Sequence, residues 1–322
     1  MGGWVGGARA RQLHPPISPS PPPPPPSQQT HDLSQSHLSS PLPHLQVLAG
    51  DVAGIVVEAD LDSPFPPGTP VFAMTDGFKW DNDTAGCWAE YVSFPQAWAA
   101  RAPASIPLAD AAALPLVALT AYQTLALAPN LVRAGEEGAA AQRVLVHAGA
   151  GGVGHVGVQL AAALYGAAVT ATAGPANQAF LKETLGVDEA VDYAATSPGE
   201  MVRAHAGRFD AILDVIGGPA GEATAAALLK PGGTYCHVFN TATDPATSKK
   251  AEVEAGGGKH YVGPTLVRPD GAALAVIASL VDAGTLKPVI ASRVGLEGVA
   301  AAMEEVEAGH VRGKIVVDVG AE

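Results

Sequence analysis

The stretch Val144-Leu-Val-His-Ala-Gly149-Ala-Gly151-Gly152-Val-Gly154-His-Val-Gly157-Val-Gln-Leu-Ala-Ala-Ala163 decides the fold. It reads as an apolar strand running directly into a glycine turn and then a helix. The spacing Gly149-x-Gly151-x-x-Gly154 puts the first glycine at the tight turn, the second where backbone approaches a pyrophosphate, and the third where helix packs on strand. A second register, Gly152-x-Gly154-x-x-Gly157, also fits. Only the first begins directly after the strand, where a dinucleotide fingerprint requires it. Spacing alone equally fits an ordinary strand-to-helix turn in a chain with 37 glycines. The second apolar, β-branched run at 167–173 completes a βαβ unit of about thirty residues and tips the reading to nucleotide binding.

Outward from that unit, strands at Val144, Val169, 190–193, 209–216 and 234–239 alternate with helices, which specifies a parallel sheet covered on both faces. Toward the N-terminus the texture is different. Short strands at 52–59, 70–74, 87–94 and 98–102, separated by Gly, Pro and Asp, form a small all-β module, and Leu108 to Leu127 reads as a helix. Beyond Gly263 come a helix near 270–283, a strand around Val289, a helix near 296–307 and a strand at 314–319. Residues 1–45, with an unbroken proline run from Pro21 to Pro26 and many serines, are expected to be disordered or polyproline-like.

Composition narrows the function. Of 322 residues 48% are hydrophobic, enough for a sizeable core and two domains, and no apolar run reaches the length of a membrane span. The net charge of −13, with 18 Lys plus Arg against 31 Asp plus Glu, disfavours nucleic acid and anionic membranes as partners and favours a small molecule. Cys87 and Cys236 lie far apart without a CxxC pair, so neither a disulfide framework nor a cysteine zinc site is indicated. A cytoplasmic home follows. Arg9, Arg11 and the serines allow a transit peptide for plastid or mitochondrion as the alternative, although the proline tract is not amphipathic.

The ordered set of Gly50-Asp-Val-Ala-Gly-Ile-Val-Val57, Gly86-Cys-Trp-Ala-Glu-Tyr-Val92, Ala111-Ala-Ala-Leu-Pro-Leu116, Leu119-Thr-Ala-Tyr-Gln123, the glycine loop, Val191-Asp-Tyr193, Asp214-Val-Ile-Gly-Gly218, Lys230-Pro-Gly-Gly233 and Gly309-His-Val-Arg-Gly-Lys-Ile-Val316 resembles the medium-chain dehydrogenase/reductase superfamily. The branch it is most similar to is the zinc-free quinone oxidoreductases, which include zeta-crystallin-like and enone reductases. The resemblance covers about residues 46 to 319. It implies an α/β chain in which a Rossmann doubly wound parallel sheet (126–264) is inserted in a GroES-like β domain (46–125), with 265–322 completing both. Such proteins begin with about fifty residues of β structure. Here the proline-rich segment stands in their place, so the β domain is expected to be N-terminally truncated, with an unpaired edge.

The resemblance also implies the site. NAD-binding folds place an Asp or Glu after the second strand to hold the ribose 2′-hydroxyl; that place is Gly174-Pro-Ala-Asn177, which has no acid, so NADPH is the expected cofactor. Asn177 and Tyr193, and more weakly Lys182, are expected near its 2′-phosphate. Pyrophosphate is expected on the amides of Gly151, Gly152 and Val153, with Gly149 and Gly154 shaping the turn. Thr120 would meet the nicotinamide ribose; Gly217, Val238 and Asn240 would meet the nicotinamide end. Where zinc enzymes of the superfamily carry a His-Glu pair, this chain has Asp51-Val52, and no metal is expected. The expected reaction is hydride transfer to a quinone or an α,β-unsaturated carbonyl by a homodimer, with no general acid identifiable and with Trp88 and Tyr91 as pocket-lining candidates. A non-catalytic NADPH-binding protein with a degenerate catalytic domain is the alternative.

Overall fold

In the computed structural model, residues 4–7, 9–11, 49–75, 86–137, 141–217, 219–238, 250–255, 257–309 and 311–320 are described. Among the described residues, six strands come before the strand that feeds the glycine loop: β1 (Trp4–Gly7), β2 (Arg9–Arg11), β3 (Asp51–Glu58), β4 (Pro70–Met74), β5 (Tyr91–Val92) and β6 (Ala99–Arg101). Two helices follow, α1 (Leu108–Ala111) and α2 (Pro115–Ala126). The single helix expected over 108–127 is broken because Pro115 cannot donate a backbone hydrogen bond; it opens α2 instead, at the first turn, where no partner is needed. The strand expected at 87–94 shrinks to Tyr91–Val92.

The next five strands and three helices alternate: β7 (Arg143–Val146), α3 (Gly152–Tyr165), β8 (Ala168–Ala173), β9 (Glu189–Asp192), α4 (Pro198–His205), β10 (Phe209–Asp214), α5 (Pro219–Leu228) and β11 (Leu229–Val238). After α6 (Lys250–Glu254) comes β12 (His260–Thr265). These strands form a six-stranded, all-parallel sheet in the order β12-β11-β10-β7-β8-β9. Reading from β7, the chain builds outward through β8 and β9, then returns to β10 on the other side. That reversal is the switch point where open α/β sheets bind ligands at strand C-termini. α3 leaves β7 there, ending at Gly166, whose φ of 58° closes the helix in the left-handed region.

The chain then returns to the first sheet. α7 (Gly271–Asp282) is capped by the Asp270 carboxylate accepting from Ala273 N, and β13 (Ile290–Gly295), α8 (Val299–Glu307) and β14 (Lys314–Asp318) finish the structure. β13 and β14 join β1, β3, β2 and β5 in order, with β4 and β6 attached through β3. Within the segment expected to be disordered, residues 4–7 and 9–11 are paired strands, and they occupy edges expected to be open. β1 lies parallel between β14 and β3, and β2 parallel between β3 and β5. Unpaired strand edges carry unsatisfied N–H and C=O groups, and residues 4–11 supply their partners. The proline tract lies outside the described residues.

One apolar core joins the two sheets. Ala53, Phe72 and Met74 of the first sheet and Val144, Val146 and Leu213 of the second belong to it, together with Leu114, Val117, Ala118 and Leu119 around the start of α2. Gly157 lets α3 settle closely on β10: a Cβ there would lie 2.6 Å from Leu213 Cδ2, while Ala121 Cβ of α2 would be at an ordinary contact distance of 3.8 Å. The last glycine of the second register is therefore needed for packing.

Candidate functional site at the strand ends

The three fingerprint glycines serve three different purposes. The residue in left-handed backbone at the tight turn is Ala148, with φ 51°, not Gly149. Gly149 is small because a Cβ there would sit 2.8 Å from Ala171 Cβ and 3.1 Å from Leu181 Cδ2. Gly151 is the N-cap of α3, in extended backbone, and its amide donates to the Ala148 carbonyl at 2.9 Å. Its amide is thus already paired within the turn, whereas helix geometry gives the amides of Gly152, Val153 and Gly154 no partner within α3. Gly154 meets the expectation of close helix–strand approach, because a Cβ would be driven onto the Ala148 carbonyl oxygen and within 2.9 Å of Gly149 Cα. No acid stands in the first turn of α3. This side-chain-free cradle at a positive helix end fits a diphosphate.

Four of the remaining expected residues lie at the same edge. Asn177 follows β8, Tyr193 follows β9, Gly217 follows β10 and Val238 ends β11. Tyr193 is 63% exposed and its hydroxyl lies against Gly174, where a Cβ would approach it to 3.2 Å. Gly217, with φ 71°, donates its amide to Asp214 Oδ1 at 2.9 Å, as Ile216 does. Tyr235 adds a third donor on Asp214 Oδ2 at 2.6 Å. Burial opposes ionisation of Asp214, but His147 and these three donors outweigh it and hold the carboxyl below its usual range. Val238 is buried and Asn240 lies outside the described residues. Thr120 is buried on α2, its hydroxyl donating to Leu116 O at 2.6 Å, with acceptor capacity left. Lys182 and Tyr91 are exposed, and Trp88 is half-buried.

The sequence reading missed Arg312. It reaches across from the segment before β14, donates from Nε to Asn177 Oδ1 at 2.7 Å and from Nη2 to Ala176 O at 3.2 Å, and lies over the Phe180 ring at 4.8 Å. No short-range signal connects positions 177 and 312. It missed His155 as well. This fully buried imidazole bonds Gly151 O through Nδ1 at 2.9 Å and accepts from Val289 N through Nε2 at 3.2 Å, a pattern only the neutral ring can make. Burial pushes its pKa down to about 4.

His155 therefore contributes stability that is fully present above about pH 6.5 and lost as pH falls toward 4, on the order of 3 kcal/mol. Comparing urea unfolding of the wild type and His155→Leu at pH 7 and pH 4 isolates this effect. The gap between them should narrow by that amount in acid; a constant gap would refute the assignment.

A metal site does not fit this donor set. Among the described residues no three His, Cys, Asp or Glu side chains are grouped to hold an ion. Asp51, at the position the zinc enzymes use, already faces the Lys314 ammonium at 3.5 Å, both side chains being buried. Cys87 lies beside the Thr75 hydroxyl at 3.4 Å, and burial pushes its thiol up to about 12, as it does that of Cys236. Neither thiol is poised as a ligand or nucleophile.

Comparison with known proteins agrees with this architecture. Residues 185–317 match the family model described as "Zinc-binding dehydrogenase". The mitochondrial NAD(P)H oxidoreductase RTN4IP1 of Danio rerio is 33% identical over 306 residues, covering 89% of this chain and 75% of that protein. The 2-methylene-furan-3-one reductase of Solanum lycopersicum is 29% identical over 290 residues, covering 86% and 64%. Among solved structures, the quinone oxidoreductase from Coxiella burnetii superposes with a TM-score of 0.69 at 29% identity, covering 85% of this chain and 80% of that one.

Proposed function

The chain belongs to the medium-chain dehydrogenase/reductase superfamily, in its quinone oxidoreductase branch, and from that premise we propose that it is an NADPH-dependent oxidoreductase acting on a quinone or an α,β-unsaturated carbonyl without a metal. The observation that carries the cofactor preference is Arg312 on Asn177. In a chain of net charge −13, a guanidinium is held by two hydrogen bonds and an aromatic face over a loop that carries no acid. A 2′-phosphate there would find a fork donor suited to it. Tyr193, across Gly174, offers a hydroxyl from the other side.

The glycine cradle would hold the pyrophosphate, and Thr120 the nicotinamide ribose. Gly217, on the turn that Asp214 fixes, and Val238 would face the nicotinamide end. A hydride would come from the bound reduced nicotinamide, delivered to an acceptor that is already electrophilic. The protein's part is orientation and exclusion of water. Domain limits of 46–125, 126–264 and 265–322 and a dimer built on the outer edge of β12 belong to the same reading; β12 ends the parallel sheet and is followed by Leu266, 62% exposed. The Danio rerio relative is a protein named as mitochondrial, which supports the organellar alternative for the compartment.

The test is loss of reduced-nicotinamide absorbance with a panel of quinones and enones, using NADPH and NADH in parallel. Turnover with NADPH supports the reading, and NADPH binding without turnover supports the non-catalytic alternative. Arg312→Ala is expected to raise the KM for NADPH about tenfold or more, a loss of one charge-assisted contact, while leaving that for NADH within about twofold. Equal change for both cofactors would remove Arg312 from the phosphate site.

A further inference from the structure

The two ends of the proposed dinucleotide site lie on different parts of the molecule, the glycine turn before α3 and Thr120 on α2. A continuous line of polar contacts runs between them through the returning C-terminal segment. Gly151 O bonds the His155 ring, whose other nitrogen accepts from Val289 N. Val289 O accepts from Lys314 N at 2.9 Å, and the Lys314 ammonium faces Asp51 Oδ2 at 3.5 Å. Asp51 Oδ1 then accepts from Leu116 N at 2.6 Å, in the first turn of α2, and Leu116 O is the acceptor of the Thr120 hydroxyl. The side chains along this line, His155, Lys314, Asp51 and Thr120, are buried.

Bonds beside the line brace it. Gln159, one turn along α3 from His155, exchanges two hydrogen bonds with the Lys287 backbone, at 3.0 and 2.9 Å. Gly313 donates to Ala150 O at 3.0 Å, and it is glycine of necessity, since a Cβ would collide with the Val289 carbonyl. Buried polar groups are costly unless satisfied, and an ion pair sealed in a core is weak support for stability. Such an arrangement suits a role in fixing geometry.

We propose that His155, acting through Val289, Lys314 and Asp51, is a positioning residue that holds the pyrophosphate-binding turn and the nicotinamide-ribose helix in register for one extended dinucleotide. The inference rests on the proposed function, in which both places contact the same cofactor. It separates ligands by length. A ligand bound at the adenosine end alone does not sense the register, whereas one spanning both ends does.

The experiment measures dissociation constants for NADPH and for adenosine 2′,5′-bisphosphate, by fluorescence and calorimetry, on the full-length chain. His155→Phe, which keeps the volume and loses both bonds, should weaken NADPH about tenfold, a typical coupling between sites, and leave the bisphosphate within about twofold. The pair Asp51→Asn with Lys314→Met breaks the line at its far end without touching the glycine turn and removes both charges together, so it remains foldable if His155→Phe does not. It should show the same selective loss, and combining it with His155→Phe should add little further. Equal weakening of both ligands, or loss from His155→Phe alone, would reduce His155 to a local support of the turn and overturn the inference while the cofactor reading stands. A wild type that binds neither ligand would instead overturn the cofactor reading, and the inference with it.

Discussion

Gly154→Ala is expected to destabilise the protein by about 3 kcal/mol in urea unfolding and to weaken NADPH binding about a hundredfold or more. The three atoms nearest the new methyl are all backbone: the Ala148 carbonyl oxygen, its carbon at 2.7 Å and Gly149 Cα at 2.9 Å. Nothing there can rotate away. Relief requires α3 to lift from β7 or the turn to distort, and the turn already holds Ala148 in left-handed backbone. Either movement displaces the amides of Gly152 to Gly154 from the pyrophosphate. Gly151→Ala is the informative control, because its Cβ would meet only the Ala148 oxygen, at 3.3 Å, in backbone that any residue adopts. It should unfold within about 0.5 kcal/mol of the wild type yet bind NADPH less tightly. A Gly154→Ala protein that melts and binds like the parent would show that the turn is not the cradle described.

Lys314→Met is expected to cost about 3–5 kcal/mol of stability at neutral pH, since it strands a buried carboxylate. Burial already pushes Asp51 up to about 6 even with the ammonium at 3.5 Å and the Leu116 amide lowering it. Its folded pKa lies above the ordinary carboxylate value, so the stability it contributes is present in acid and lost as pH rises through 6. Removing Lys314 raises Asp51 further. The cost of Lys314→Met should therefore be smaller at pH 5 than at pH 7.5, and Asp51→Asn in the same chain should restore most of it at pH 7.5. Chemical denaturation of the single and double variants at both pH values checks this; a cost that is independent of pH, or is not restored by Asp51→Asn, would mean that packing of the lysine stem and not the charge carries the effect.

Much of this was legible in the sequence because it depends on neighbours along the chain. The alternation from Val144 onward determined a parallel sheet, Gly149-x-Gly151-x-x-Gly154 determined a side-chain-free turn into a helix at the first strand end, and 174–177 carries no acid. Each is a local rule of backbone space or charge. What each glycine is for was not legible: the spacing put the turn at Gly149, while the chain made it at Ala148 and used Gly149 to admit Ala171. That choice depends on a strand more than twenty residues away. The same holds for Pro115, which divides a helix that periodicity reads as one, and for residues 4–11, whose pairing is decided by open strand edges on β3, β14 and β5.

Only the tertiary structure brought Arg312 to Asn177 and His155 to Val289, and joined Lys314 to Asp51 across 263 positions. Composition and spacing rank a residue by what surrounds it in sequence, and on that scale Arg312 and Lys314 are ordinary surface charges and His155 an ordinary helix residue. Burial reverses the ranking for Lys314 and His155, because a charge or ring taken out of water must find its partner wherever the fold places one, while Arg312 stays exposed and is singled out only by the Asn177 loop it reaches. The sequence determined the glycine turn at the end of the first parallel strand; the packing of the C-terminal return against α3 and α2 decided which side chains meet around it.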